Sequence, residues 1–201
     1  QIKNRDNFVE FISEFKADKK LLVFGSSWEA EEKMAQILSQ KLENFKILIA
    51  PHDLKRVQNL KQISPNAILY SELGKSQISN LDSQILIIDN IGMLSSIYAY
   101  ADIAFIGGGF GAGIHNTLEA AAWGLPVIFG PKHQKFDEAK SLITQKAGFS
   151  ISNYEEFEQV LNKLMDNQSF RVQTGQLAKT FVNQNIGATD KIMQDVYQIK
   201  N

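Results

Sequence analysis

Six short apolar runs recur along the chain, at Leu21–Gly25, Phe45–Ala50, Asn66–Tyr70, Gln84–Asp89, Ile103–Gly107 and Pro126–Gly130. Each is apolar at consecutive rather than alternate positions and partly β-branched, and several end in Gly or Asp. That is the signature of strands covered on both faces. Helical periodicity fills the intervals, at Trp28–Glu43, Leu54–Ile63, Met93–Tyr100, Ile114–Trp123 and Phe136–Lys146. Gly148–Ser152 adds a last short strand, followed by helical stretches at Tyr154–Asp166, Ser169–Gln184 and Asp190–Lys200. Strands alternating with helices predict βαβ units, and so an α/β fold: a Rossmann-like, doubly wound parallel sheet in three α/β/α layers. With 201 residues, 44% of them hydrophobic, the chain is expected to form a single domain over 1–201.

Composition narrows the function. A net charge of -1 gives no reason to expect nucleic acid or an anionic membrane surface as partner. The absence of cysteine excludes disulfides, thiolate metal sites and thiol catalysis. No apolar run approaches the roughly 18 residues that span a bilayer. The first residue is Gln1 rather than Met, so a piece of a longer protein is expected.

In such sheets ligands bind outside the carboxyl ends of the strands. The loop after Ile106 is the most unusual, with five glycines among the seven residues 107–113, followed by His115-Asn116-Thr117-Leu118-Glu119. Glycine marks backbone that bends sharply or is closely approached. A packing turn, a phosphate cradle and a hinge all fit the glycines alone. The whole string favours the cradle. If a helix begins at Ile114, the N–H groups of Gly113, Ile114, His115 and Asn116 point at an anion, and Glu119, one turn past His115, accepts from a neighbouring sugar hydroxyl. A dinucleotide fingerprint can be forced onto Gly108, but the loop follows a late strand and no acidic residue closes the next one.

Other strand exits carry candidates of either kind. Ser26 and Ser27 suit a helix cap or a ligand contact. His52 and Arg56 follow the second run. Gly92 and the Met93 backbone suit a base edge or an ordinary turn. Lys132, His133 and Lys135 form a basic loop beside the cradle. The three histidines lack the spacing of a metal site, and no Ser-His-Asp set is legible. Neither a cofactor nor a metal is implied.

The stretch from Asp89 to Ala139 resembles the C-terminal half of Kdo transferases, which move 3-deoxy-D-manno-oct-2-ulosonic acid (Kdo) from CMP-Kdo onto lipid A precursors. The family pattern is kept at Asp89, Gly92, Leu94, Tyr98, Ala101, Asp102, Gly107, Gly108, Gly113, His115, Asn116, Leu118, Glu119, Ala121 and Gly130-Pro131. Upstream, Gly25 to Glu32 looks like the family's Gly-Ser-Thr-His/Trp-x-x-Glu-Glu segment. Asn90, Met93, Ala50 and Lys135 depart from the usual Thr, Glu, Arg and Asn. The resemblance implies one half of a GT-B fold, the CMP-Kdo binding domain of an inverting, metal-independent glycosyltransferase of lipopolysaccharide biosynthesis. It implies that the N-terminal domain lies outside this chain, and with it the general base, the lipid A acceptor site and the anchor to the cytoplasmic face of the inner membrane. No catalytic residue is then expected in this chain, which alone would be soluble and inactive. Gly113–Asn116 would hold the CMP phosphate, Glu119 the ribose and Gly92–Met93 the cytosine, with Ser26, Ser27 and Lys132 near the donor's carboxylate or phosphate. The alternatives are the donor domain of a GT-B enzyme using a UDP-sugar and a non-catalytic nucleotide-binding module.

Overall fold

The computed structural model describes residues 11–41, 44–73 and 82–185; the expected helix at Asp190–Lys200 lies outside them. After a helical stretch at residues 11–16, the chain alternates strands β1 (Lys20–Ser27), β2 (Phe45–Pro51), β3 (Ile68–Leu69), β4 (Ile85–Ile87), β5 (Ile103–Ile106), β6 (Val127–Phe129) and β7 (Gly148–Ser150) with helices. The helices are α1 (Glu29–Lys41), α2 (Val57–Ile63), α3 (Leu94–Ile97), α4 (Leu118–Ala122), α5 (Asp137–Thr144), α6 (Tyr154–Asp166) and α7 (Gln168–Asn185). The strands form one seven-stranded sheet in the order β3-β4-β2-β1-β5-β6-β7. Every pairing is parallel. The expected fold class is therefore the observed one.

The consecutive apolar residues of each run split between the faces because side chains alternate along a strand. Leu21 and Val23 of β1 join a core with Leu48, Leu86, Ala104 and Phe129 on one side of the sheet. Leu22 and Phe24 join Ile47, Ile49, Phe105 and Ile128 on the other. There Phe24 stacks on Phe105 at 5.0 Å, and Phe157 of α6 meets Phe105 edge-on at 5.3 Å. Asp102 fixes the entry to β5, accepting the Leu21 N–H and the Lys16 ammonium, each at 2.8 Å.

Tyr98, just after α3, is buried directly beneath the exit of β1. A Cβ placed on Gly25 would run into the Tyr98 hydroxyl and lie 3.1 Å from its Cζ and 3.2 Å from Leu94 Cδ2. Gly25→Ala should therefore destabilise the protein by about 1–3 kcal/mol in denaturant unfolding, the range for overpacking a filled site. Removing the hydroxyl with Tyr98→Phe should recover part of that loss; equal losses in both backgrounds would contradict the packing described.

Candidate functional site

β1 lies at the centre of the sheet, with β2 on one side and β5 on the other, so the exits of β1 and β5 diverge over a crevice. This is the switch point at which open α/β sheets bind ligands. Ser26 stands there with φ 52°, in the left-handed region that costs a non-glycine residue about 1–3 kcal/mol, beside a register shift between Gly25 and Ser27.

The glycine loop fills the space between the exits of β1 and β6. A Cβ on Gly107 would strike the Ser26 carbonyl and come within 2.7 Å of Ser27 Cα; one on Gly109 would sit 2.6 Å from Gly130 Cα. The loop closes on itself through Gly111 and Gly113 N–H bonds to the Gly108 carbonyl (2.9 and 3.1 Å) and a His115 N–H bond to the Gly107 carbonyl at 3.1 Å.

That closure corrects the expected helix start. Residues 114–117 are not helical; α4 begins at Leu118, after Thr117 whose side chain makes no capping bond, and runs only to Ala122. His115 is tied back to β5, and the Asn116 carbonyl oxygen Oδ1 takes the Leu118 N–H at 2.9 Å, a local bond that competes with helix extension. Of the four N–H groups expected to face an anion, those of Gly113 and His115 are already used. Those of Ile114 and Asn116 make no hydrogen bond among the described residues. Glu119 sits in the first turn of α4 rather than a helical turn beyond His115, and its Oε1 accepts from Asn116 Nδ2 at 3.1 Å.

Two further expectations are corrected. Ser27 is fully buried, and its hydroxyl turns inward to Glu32 Oε1 at 3.4 Å, so it presents nothing to a ligand. Thr117 is also buried; its hydroxyl is the one buried side-chain polar atom without a partner among the described residues. Arg56 is taken up by Glu32, at 2.6 and 3.1 Å to Oε2 and 2.9 Å to Oε1.

The remaining candidates fall into two groups. Ser26, His52, Gly92 and Met93 line a cleft of about 520 Å³, with Trp28 and the 86%-exposed Ile91 at its wall and rim. Gly108, Gly113, His115, Asn116 and Glu119 belong to the glycine-loop segment. Lys132 joins them: its N–H donates to the Gly109 carbonyl at 2.9 Å, and its exposed side chain makes no ion pair among the described residues.

Three rings bridge the groups. Trp28 Nε1–H donates to His115 Nε2 at 3.1 Å, while the His52 ring lies over both, with centroids 4.8 Å from Trp28 and 4.3 Å from His115. Accepting that bond puts the His115 proton on Nδ1. Burial, and secondarily the charge of His52, push the His115 pKa below 6.5. Trp28, 39% exposed, is a site residue that the sequence reading missed, although its place at a strand exit within the family-like Gly25–Glu32 segment was a visible signal. Glu31 was missed as well, since an acidic residue in the first turn of a helix needs no further role.

These features define a Rossmann-like α/β domain with a candidate ligand site at its switch point. No protein-family model matches the chain. The C-terminal CMP-Kdo binding domain of WaaA from Acinetobacter baumannii superposes with a TM-score of 0.66 over 84% of this chain and 98% of that one, at 18% identity, which speaks to fold alone. In sequence, the chain is 32% identical over 193 residues to the 3-deoxy-D-manno-octulosonic acid transferase of Rickettsia prowazekii, covering 90% of this chain and 41% of the relative. It is 33% identical over 153 residues to a bifunctional glycosyltransferase/methyltransferase of Fusobacterium nucleatum, covering 73% and 24%. The chain is homologous to the Kdo transferases, and it spans at most about two fifths of the length of these two relatives.

The lowered His115 pKa fixes the sign of a pH effect. A base whose folded pKa lies below its unfolded value contributes stability that is fully present above 6.5 and lost as pH falls towards the folded midpoint. The His115 imidazole should titrate below 6.5 by NMR, and His115→Gln should flatten the decline of the unfolding midpoint across that range. A midpoint above 6.5 would contradict the buried, neutral imidazole.

Proposed function

We propose that this chain is the donor-binding domain of a Kdo transferase, holding CMP-Kdo while a second domain presents a lipid A precursor. The supporting observation is the convergence, at the sheet's switch point, of a glycine loop with unclaimed Ile114 and Asn116 N–H groups, the exposed Lys132 ammonium and Glu119, in a chain homologous to these enzymes. In the transfer, the bond between the Kdo anomeric carbon and the phosphate oxygen breaks and its electron pair stays on CMP. Negative charge gathering on that phosphate is stabilised by fixed N–H dipoles and a cation at the loop.

The cleft beside Ser26 and His52 receives the nucleoside, with the Gly92–Met93 main chain at the cytosine edge and Glu119 accepting from a ribose hydroxyl. His115, neutral and bearing its proton on Nδ1, supplies a hydrogen-bond donor without a full charge. The general base that accepts the acceptor's hydroxyl proton, the lipid A site and the attachment to the inner membrane belong to a preceding domain, and the chemistry proceeds with inversion and without a metal. Among the described residues no helix is long and apolar enough to cross a membrane.

Calorimetric titration tests the reading. CMP should bind more tightly than UMP, UDP or AMP, in the presence of EDTA, and Glu119→Ala should weaken CMP about tenfold or more, roughly 1.4 kcal/mol, as expected for losing a hydrogen bond to a charged group. Tighter binding of UDP, or CMP affinity indifferent to Glu119→Ala, overturns it.

A further inference from the structure

Glu31 is 0% exposed, yet its partners are main-chain N–H groups rather than a cation. It occupies the third position of α1, and its Oε2 accepts the Trp28 N–H at 3.0 Å, the local half of a capping box. Its Oε1 reaches 77 residues along the chain to accept the Gly108 N–H at 2.9 Å. The adjacent Glu32 is handled differently, neutralised by the Arg56 guanidinium.

Capping alone does not call for this arrangement. A glutamine at position 31 would cap Trp28 equally well, with no buried charge. What only a carboxylate offers is two oxygens that both accept and neither donates. With them Glu31 grips the exit of β1 and the middle of the glycine loop at once. Trp28 completes the circuit: its main-chain N–H is held by Glu31, and its indole N–H holds His115 at the far end of the same loop.

We propose that Glu31 is the positioning residue of the glycine loop, its two carboxylate oxygens locking Gly108 to Trp28 so that the loop is preset for the donor's phosphate. The phosphate part rests on the donor-site reading above; the lock itself does not. Because burial raises the Glu31 pKa above 4.5, ionising the carboxylate costs stability as pH rises from there through the folded midpoint.

The test is Glu31→Gln in the 201-residue chain. Without nucleotide, the Gly108 amide should exchange with solvent about tenfold faster or more than any change in the unfolding midpoint accounts for, since one N–H now faces the glutamine NH₂. With CMP as the probe, affinity should fall about tenfold. In the wild-type chain, the Gly108 and Trp28 amide proton shifts should follow the titration of the Glu31 carboxyl carbon with one shared midpoint, a readout that needs no variant. Unchanged Gly108 exchange, amide shifts that ignore the Glu31 titration, or a CMP loss explained entirely by a lower unfolding midpoint each overturns the proposal. If exchange accelerates in the variant but the wild-type chain binds no CMP, the lock stands and the donor-site reading fails.

Discussion

Main chain rests on main chain at both flanks of the glycine loop, and the carboxyl edge of the sheet depends on that contact. Residue 107 lies against Ser26 and Ser27, and residue 109 against Gly130, at distances that leave no room for a Cβ. Interiors are packed to crystal density and do not stretch to admit extra atoms. The absence of side chains at these two positions therefore sets how closely the exits of β1, β5 and β6 approach. Once they are that close, Glu31 reaches Gly108, the Trp28 indole reaches His115, and the Gly109 carbonyl takes the Lys132 N–H. Widening the loop would separate all of these pairs together.

The acidic residues at the two edges of the sheet are treated in four ways, and the differences follow from what each must hold. Asp102 is partly exposed and joins the start of β5 to β1 with help from Lys16. Glu32 is buried and given an arginine, so its charge is matched where solvent is excluded. Glu31 is buried and given main-chain N–H groups, which organise backbone rather than neutralise charge. Glu119 stays partly exposed in the first turn of a short helix, accepts from Asn116 as its one hydrogen bond among the described side chains, and keeps acceptor capacity for something else.

Legibility in the sequence tracked how local each feature is. The seven strands and their helices were readable because consecutive apolar residues and helical periodicity are short-range patterns; Tyr154–Asp166 was anticipated to the residue. The start of α4 was misjudged because Ile114 to Ala122 has a good helical pattern, yet a bond from His115 back to Gly107 and the Asn116 side chain hold the first four of those residues out of the helix. Ser26 and Ser27 look equivalent in the sequence, but strand alternation at a register shift sends one to the cleft and the other into the interior. Arg56 stands at a strand exit in the sequence, and only the fold shows that Glu32, 24 residues earlier, takes up its guanidinium.

By itself, then, the sequence determined the layers, the parallel sheet, the glycine-lined exit and the family resemblance, because each is written in composition and spacing within a few dozen residues. Tertiary structure decided which groups remain free to meet a ligand. Whether a hydroxyl, an N–H or a charge is available depends on what folds against it from distant parts of the chain, as with Trp28 and His115, 87 residues apart, or Glu31 and Gly108, 77 apart. A pattern confined to one segment carries no record of those partners.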